Sequence, residues 1–256
     1  MTDEKSRKDP AEKIRQLRRF LPAVLVYFVV TSFTIIPETK LWVVLISKIF
    51  PIVILMGFVL RHEGTNLFKL AGNTFSRRVF LGLIFSMIGD ASLVYQNKSD
   101  LYFIGGIIAF GIGHLMYILA FGWRPFAPVL MFKLIIVATS VFILLWVGGL
   151  KDEAIHLKIG VGVYAALNGA MNWRSWARLS IQDFKEDRWY EFLGCIGAFF
   201  FLVSDTLLAA NKFVYNGKMP YENLLIMATY YVAQLGITLS VVDGPDTYGD
   251  DKEHDD

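Results

Sequence analysis

The stretch FLGLIFSMIGDASLVY, residues Phe80 to Tyr95, decides the fold of this chain. It is apolar nearly from end to end, and as a helix it is long enough to cross most of a bilayer. It contains one carboxylate, Asp90, about five residues before its end. At the helical rise of about 1.5 Å per residue, this places Asp90 about 7 Å from that end of the helix. A charge at that depth costs several kcal/mol unless it is protonated, paired or open to a water-filled cavity. Asp90 is therefore a candidate functional residue.

A second apolar stretch, Glu191 to Ala210, repeats this arrangement around Asp205. A small residue precedes each aspartate, and a leucine follows it at the third position, Leu93 in the first stretch and Leu208 in the second. We expect both helices to run in the same direction across the membrane, so that the two acids lie near the same end of the bundle.

Composition indicates an all-α polytopic membrane protein. Of the 256 residues 55% are hydrophobic, the mean hydropathy is +0.47, and the apolar residues fall in blocks of membrane-spanning length. We predict a bundle of eight transmembrane helices at residues 20–36, 41–60, 79–95, 101–121, 128–147, 155–173, 191–210 and 223–242. The formal net charge of +2 offers no overall field for binding nucleic acid.

The distribution of lysine and arginine predicts the orientation of this bundle. With eight helices, 17 of these residues fall on the side of both termini and 5 on the opposite side. The positive-inside rule then places both termini in the cytosol. We expect three parts: a basic cytosolic tail at residues 1–19, a membrane domain at 20–242, and an acidic disordered tail at 243–256.

Lys48 lies at a depth similar to that of the two acids. Counted from the non-cytosolic ends of their helices, Lys48, Asp90 and Asp205 share a layer roughly 7–11 Å below the surface. The ammonium of Lys48 either snorkels to the headgroups or acts as a counter-ion to one aspartate.

Further polar side chains lie within the apolar segments. His114 and Tyr117 share one helix face, and the next-to-last and last helices supply further candidates, Asn211, Tyr230 and Gln234. A polar stripe at i, i+4 and i+8 runs along the sixth segment and consists of Tyr164, Asn168 and Asn172. Such groups serve either as helix–helix hydrogen bonds or as the lining of a polar cavity.

Two classes of function fit paired intramembrane carboxylates. One is a hydrolase, in which one acid donates a proton while the other accepts one. The other is a proton-coupled transporter that uses the pair as a proton relay. A zinc hydrolase is disfavoured because His114 is the one histidine clearly inside a predicted helix. The sequence also lacks the G-x-S-x-G motif of a serine hydrolase and a glycine-rich phosphate loop.

The order and spacing of five short motifs resemble those of the lysoplasmalogenase family of integral membrane proteins, the YhhN-like proteins. The resemblance covers about residues 20–242 and is closest to the animal members. The motifs are Lys48-Ile-Phe-Pro51, Gly89-Asp90-Ala-Ser-Leu93, Gly113-His114-Leu-Met-Tyr117, Ser204-Asp205-Thr-Leu-Leu208 continuing to Asn211-Lys212-Phe213, and Tyr230-Tyr231-Val-Ala-Gln234.

This resemblance implies hydrolysis of the vinyl-ether bond of lysophospholipids that carry an ethanolamine or choline base. The products would be a fatty aldehyde and the glycerophospho-base, and the location would be the endoplasmic reticulum membrane. Asp90 and Asp205 would be the acid and the base, with neither role assigned to either residue. The remaining candidates would tune the acids or position water and substrate: Lys48, His114, Tyr117, Tyr230, Gln234 and Asn211. The reaction needs a proton and water, so no metal or organic cofactor is expected.

Overall fold

A computed structural model describes residues 15–33, 40–63, 73–179 and 189–243 of the chain. Within these ranges the protein is all-helical and contains eight α-helices and three short 3₁₀ turns. The helices are α1 (Phe20–Phe33), α2 (Leu41–His62), α3 (Thr74–Val94), α4 (Asp100–Phe121), α5 (Pro128–Gly148), α6 (Ile155–Arg178), α7 (Trp189–Phe213) and α8 (Glu222–Leu239).

The predicted helix positions agree with these bounds to within three residues at the ends that the structure describes, apart from two ends that extend further into polar sequence. Helix α3 begins at Thr74 rather than at residue 79, because the side chain of Asn73 caps it by accepting a hydrogen bond from the backbone N–H of Ser76. Helix α6 continues to Arg178 rather than ending at residue 173. Residues 34–36, most of the predicted basic tail and residues 244–256 lie outside the described residues.

Five of the helices are long and apolar enough to span a bilayer: α2, α4, α5, α7, and α8 with the turn that follows it. A bilayer forces such segments to be helical, because their backbone polar groups find no water and must bond within the segment. Among the residues of α5 one, Leu145, is buried, so this helix presents most of its surface outward.

The bundle is built around two close helix pairs, α3 with α4 and α7 with α8, and each pair contains one of the two aspartates. Helix α6 packs against both α4 and α7, while α2 contacts α1, α3 and α8. The backbones of α7 and α8 touch at Gly197 and Gly236. A Cβ at Gly197 would lie 2.6 Å from the backbone nitrogen of Ile237, so only glycine permits this approach.

Polar contacts close the end of the bundle where α4 and α6 terminate and α3 and α7 begin. The buried guanidinium of Arg174 donates hydrogen bonds to the carbonyl oxygens of Gly122 and Pro125, the latter at 2.8 Å. Arg178 and Glu191 form an ion pair of 3.1 Å. These contacts join α6 to the end of α4 and to the start of α7, and the cavity described below lies toward the opposite end of the same helices.

Candidate active site

A cavity of about 130 Å³ lies where α3 and α7 approach their ends and α8 begins, and we call it the polar chamber. Both predicted acids, Asp90 and Asp205, line it together with Lys48. The structure therefore brings to one space the three charged side chains that the sequence placed at one depth. The other lining residues are Tyr27, Leu93, Gln96, Phe110, Ser204, Leu208, Asn211, Glu222, Asn223, Ile226, Met227 and Tyr230.

Asp90 has a cationic partner on one oxygen and a neutral donor on the other. The Nζ atom of Lys48 lies 3.2 Å from Oδ1, and the hydroxyl of Tyr230 donates a hydrogen bond of 2.6 Å to Oδ2. The Asp90 side chain is 2% exposed and that of Lys48 is 10% exposed. The ammonium of Lys48 is thus directed to the acid rather than to the membrane surface, which is the counter-ion arrangement of the two that the sequence left open.

The position of Lys48 is fixed by the helix that carries Tyr230. The hydroxyl of Tyr231 donates a hydrogen bond of 2.9 Å to the backbone carbonyl of Lys48. The ring of Tyr231 packs edge-on against Tyr27 of α1, with 5.7 Å between centroids. Adjacent residues of α8 therefore bind both members of the ion pair, Tyr230 through the Asp90 carboxylate and Tyr231 through the Lys48 backbone.

Asp205 has a different set of partners, and all of them approach one oxygen. The hydroxyl of Tyr164 and the amide of Asn168 donate hydrogen bonds of 2.8 and 2.6 Å to Oδ2. The Nε2 atom of His114 lies 3.5 Å from the same oxygen. No described residue donates a hydrogen bond to Oδ1, and the Asp205 side chain is 13% exposed, more than that of Asp90. One oxygen of Asp205 is thus held by the protein, while the other has no hydrogen-bond donor among the described residues.

The polar stripe of α6 provides this support for Asp205. Asn172, one turn beyond Asn168, donates to the side-chain oxygen of Asn168 at 3.1 Å and to the carbonyl of Ala198 at 3.0 Å. Because Asn172 holds Asn168 by its oxygen, the amide nitrogen of Asn168 is left facing Asp205. The stripe is visible in the sequence, but its residues were not among the predicted site residues, because spacing along one helix does not identify the group that the stripe faces.

A second, apolar cavity of about 50 Å³ adjoins the chamber between α4, α6 and α7, and we call it the apolar pocket. Four residues, Leu93, Phe110, Asp205 and Leu208, line both cavities and form what we call the shared wall. The pocket's other lining residues are Phe103, Gly106, Ile107, Val161, Tyr164, Ala209 and Phe213. Asp205 is the one ionisable side chain in the shared wall, so it meets polar and apolar space at once.

Three of the predicted site residues do not line either cavity. The hydroxyl of Tyr117 donates a hydrogen bond of 2.8 Å to Oε1 of Gln234, and both side chains are fully buried. The imidazole of His114 lies behind Asp205, between the rings of Tyr164 and Phe201 at centroid distances of 5.1 and 4.6 Å. These residues support the walls, while Tyr230 and Asn211 face the chamber directly.

The mouth of the chamber contains groups that sequence analysis did not single out. Glu222, the first residue of α8, accepts a hydrogen bond from the side-chain amide of Asn211. Asn223 accepts a hydrogen bond of 2.5 Å from the hydroxyl of Tyr27 on α1. Acidic residues are common at the start of helices, where they interact favourably with the helix dipole. The position of Glu222 in the sequence therefore did not indicate that it belongs to a site.

Among the residues that the structure describes, no group of three or more histidine, cysteine, aspartate and glutamate side chains is arranged to hold a metal ion. Asp90, Asp205 and Glu222 all line the chamber, but each is held by its own set of lysine, tyrosine, asparagine or histidine partners. The arrangement provides two carboxyl groups with unlike partners at a boundary between polar and apolar space.

Comparison with known proteins identifies relatives of this chain. The model of the YhhN family matches residues 43–241. The protein named lysoplasmalogenase TMEM86A from Homo sapiens is 38% identical over 226 residues, which cover 88% of this chain and 87% of the relative. The protein named lysoplasmalogenase TMEM86B from Homo sapiens is 32% identical over 90% of this chain and 88% of the relative. No solved structure matches the chain.

Proposed function

This chain belongs to the YhhN family and is a multi-pass membrane protein, and we propose that it is a lysoplasmalogenase. Its substrates would be 1-alkenyl-lysophospholipids with an ethanolamine or choline base. It would hydrolyse their vinyl-ether bond to a fatty aldehyde and the glycerophospho-base. The observation that carries the proposal is the pair of carboxyl groups, Asp90 and Asp205, which line one chamber with unlike partners.

Asp205 is the proton donor in this proposal. The two neutral donors, Tyr164 and Asn168, both bind Oδ2 of Asp205, so this oxygen acts as an acceptor. When Asp205 is neutral, its proton therefore lies on Oδ1, to which no described residue donates. No lysine or arginine of the described residues lies within ion-pair distance of this carboxyl group. The acid also lies in the shared wall, where a vinyl ether between a polar headgroup and an apolar chain would come to rest.

Asp90 is the base. Its partner Lys48 offsets the negative charge of the carboxylate, and the hydroxyl of Tyr230 holds one of its oxygens in place. Two carboxyl groups whose surroundings differ in this way can remain in opposite protonation states, which acid–base catalysis requires.

The reaction follows from these two states. The Asp205 proton is transferred to the alkene carbon that is not bonded to oxygen, and the adjacent carbon becomes an oxocarbenium ion. Water attacks this ion and transfers one of its two protons to Asp90, which gives a hemiacetal. As the hemiacetal collapses, its hydroxyl proton returns to Asp205, Asp90 protonates the departing glycerol oxygen, and the carbon–oxygen bond breaks to release the aldehyde. Both carboxyl groups end the cycle in their starting states.

The division of space supports the placement of the substrate. The apolar pocket would receive the start of the alkenyl chain, with the rest of the chain following the outer surface of α4, α6 and α7 into the bilayer. The glycerophospho-base would occupy the polar chamber. No metal or organic cofactor takes part in the proposed steps.

The proposed topology is a bundle of eight membrane spans over residues 20–242 with both termini in the cytosol, in the endoplasmic reticulum membrane. The support is the excess of lysine and arginine on the side of the termini. In this orientation the chamber opens on the non-cytosolic side. The tails, residues 1–19 and 243–256, would be separate from the hydrolase domain.

The test is release of fatty aldehyde from a defined 1-alkenyl-lysophospholipid by the purified chain in detergent, with a chelator present. Wild-type protein should release aldehyde, while Asp90→Asn and Asp205→Asn should each lower the rate by about 10²–10⁴-fold, the usual contribution of a general acid or base. Asp100→Asn, the same change at an exposed aspartate on α4, is the matched control and should leave the rate unchanged.

Near wild-type release from both chamber variants would contradict the assigned roles. If folded wild-type protein released no aldehyde and proteoliposomes instead showed uptake driven by a pH gradient, the proton-coupled transporter would replace the hydrolase.

A further inference from the structure

The mouth of the polar chamber is lined by one carboxylate and by amides. Glu222 and Asn223 open α8, Asn211 lies in the last turn of α7, and Gln96 follows the end of α3. All four line the chamber at the end where it opens. Glu222 is the one acidic residue among them, so it sets the charge of the entrance.

Glu222 has no cationic partner among the described residues. The ion pairs that lysine and arginine form among the described residues involve Lys48 and Arg178, and neither of them includes Glu222. Two lysines that neighbour Asn211 and Gln96 in the sequence have their ammonium groups over aromatic rings instead. Lys212 Nζ lies 4.2 Å from the ring centroid of Phe103, and Lys98 Nζ lies 5.4 Å from that of Tyr95.

The carboxylate is nevertheless held in a fixed place. The amide nitrogen of Asn211 donates to its Oε2, and the Oδ1 of the same asparagine accepts a hydrogen bond of 3.1 Å from the backbone nitrogen of Met219. Asn211 is thereby oriented by the turn between α7 and α8, and Glu222 by Asn211. Its other oxygen, Oε1, receives no hydrogen bond from a described residue and is available to a ligand.

The charge of the chamber as a whole fits a cation. Its lining contains three carboxyl groups, Asp90, Asp205 and Glu222, and one ammonium, which Asp90 already binds. A positively charged group that entered the mouth would meet an unpaired carboxylate, with the ring of Tyr27 also in the lining. An anionic group would meet the same carboxylate, and the one ammonium in the chamber lining is already bound to Asp90.

The position of Glu222 along α8 matches the dimensions of a lysophospholipid. Glu222 and Tyr230, which binds Asp90, are separated by eight residues of one helix, or about 12 Å along its axis. In a lysophospholipid about nine bonds separate the ether oxygen from the nitrogen of the base, which spans about 10 Å at the reach of an extended chain. A substrate with its vinyl ether near Asp90 is therefore long enough to bring its nitrogen close to Glu222.

We propose that Glu222 binds the cationic base of the substrate and makes the enzyme prefer zwitterionic lysophospholipids to anionic ones. This inference rests on the proposed function and assigns a specificity-determining residue to it. The carboxylate takes no part in the bond-breaking steps. It fixes the depth to which the substrate enters, and Asn211 positions it for that contact.

The experiment compares two substrates with the same alkenyl chain, the 1-alkenyl-glycerophosphoethanolamine and the 1-alkenyl-glycerophosphate that lacks the base. Wild-type protein should favour the first in kcat/KM, and Glu222→Gln should reduce that preference about tenfold, as expected for one charge-assisted contact. This reduction should come from a higher KM for the ethanolamine substrate, while kcat for that substrate stays unchanged. Glu222→Asp, which retains the charge, should restore part of the preference.

Glu153→Gln, the same change at an exposed position in the loop between α5 and α6, is the matched control and should leave the ratio unchanged. If Glu222 served only to hold the turn between α7 and α8, its replacement by Gln would lower kcat/KM for both substrates alike. An unchanged ratio would therefore overturn the proposal.

A binding measurement separates this proposal from the proposed function. The saturated analogue 1-alkyl-glycerophosphoethanolamine has no vinyl ether to protonate, so its binding can be measured without turnover, beside that of 1-alkyl-glycerophosphate. Weaker binding of the ethanolamine analogue to Glu222→Gln, with binding of the phosphate analogue unchanged or tighter, would support the assignment even if aldehyde release failed. Equal binding of the ethanolamine analogue to both proteins would overturn it whatever the activity.

Discussion

The side chains of Lys48 and Asp90 form an ion pair of 3.2 Å between α2 and α3, almost fully shielded from solvent. Removing one member of a buried pair leaves an uncompensated charge, which commonly costs about 3–5 kcal/mol. We therefore expect Lys48→Met to lower both the thermal stability and the rate of aldehyde release, as measured by unfolding in detergent and by activity.

The double variant Lys48→Met with Asp90→Asn provides the control for that prediction. It removes both charges, so most of the lost stability should return while the rate of aldehyde release stays low, because Asp90, the proposed base, is missing. If the double variant unfolded at the temperature of Lys48→Met alone, the two side chains would not be coupled and the first prediction would be wrong.

Tyr164 and Asn168 should affect the rate of hydrolysis rather than substrate binding. Both donate to Oδ2 of Asp205 and thereby leave Oδ1 to carry the proton. Tyr164→Phe removes one donor to the acid, and we expect kcat to fall about tenfold with KM nearly constant. Tyr102→Phe, a change at an exposed tyrosine of α4, should have no effect. A rise in KM without a fall in kcat would indicate that the hydroxyl of Tyr164 contacts the substrate instead of Asp205.

Isotopes test the proposed order of proton and water addition. In deuterium oxide the aldehyde should contain one deuterium on the carbon next to the carbonyl, because the first step protonates carbon. In ¹⁸O-labelled water the released glycerophospho-base should contain no label, because water attacks the alkenyl carbon and the glycerol oxygen keeps its bond. Mass spectrometry of both products measures this. Label in the glycerophospho-base would contradict the mechanism.

Gly106 should control access to the apolar pocket. It lines that pocket, and a Cβ at this position would lie 2.8 Å from Cδ2 of Leu93. Gly106→Leu would fill this cavity of about 50 Å³, which receives the start of the alkenyl chain in the proposed placement, so kcat/KM should fall for long and short chains alike. Gly57→Leu is the control, since a Cβ there meets no atom within 4 Å. A kcat/KM equal to that of the wild type for both chain lengths would argue against the pocket as the site of the chain.

The close approach of α7 and α8 gives a prediction for stability. At Gly197 an added Cβ would lie 2.6 and 2.7 Å from backbone atoms of Ile237 and Ala233, which cannot rotate away. We expect Gly197→Ala to separate the helices and cost about 1–3 kcal/mol, the usual range for overpacking. Gly57→Ala should be neutral or slightly stabilising. Thermal unfolding of the two variants in detergent makes the comparison, and equal midpoints would contradict the prediction.

Sequence and structure agree best where burial in the membrane limits the choices. Apolar runs predicted the positions of the helices, because a backbone in lipid must be helical. Lys48, Asp90 and Asp205 were visible as candidates because a charge within such a run is rare. The start of α3 was predicted too late in the sequence, because Asn73 caps the helix and a polar turn precedes the apolar run.

The partners of these charges were not accessible from the sequence. Whether Lys48 binds Asp90 or Asp205 depends on which helices are neighbours and on side-chain rotamers, and neither follows from spacing along one helix. Tyr27 has the sequence features of a core aromatic residue, and Glu222 those of an ordinary helix start. Both become part of the chamber only when α1 and α8 are packed together through Asn223.

The shared wall has a consequence for what happens after hydrolysis. Leu93, Phe110, Asp205 and Leu208 separate the two cavities, and the bond to be broken would lie across that division. The aldehyde would then be formed on the side that continues into the lipid, and the water-soluble fragment on the side that opens to the aqueous phase. The two fragments would leave in different directions and be diluted into different phases, so recombination would be suppressed. Turnover would then continue without a moving lid to expel either product.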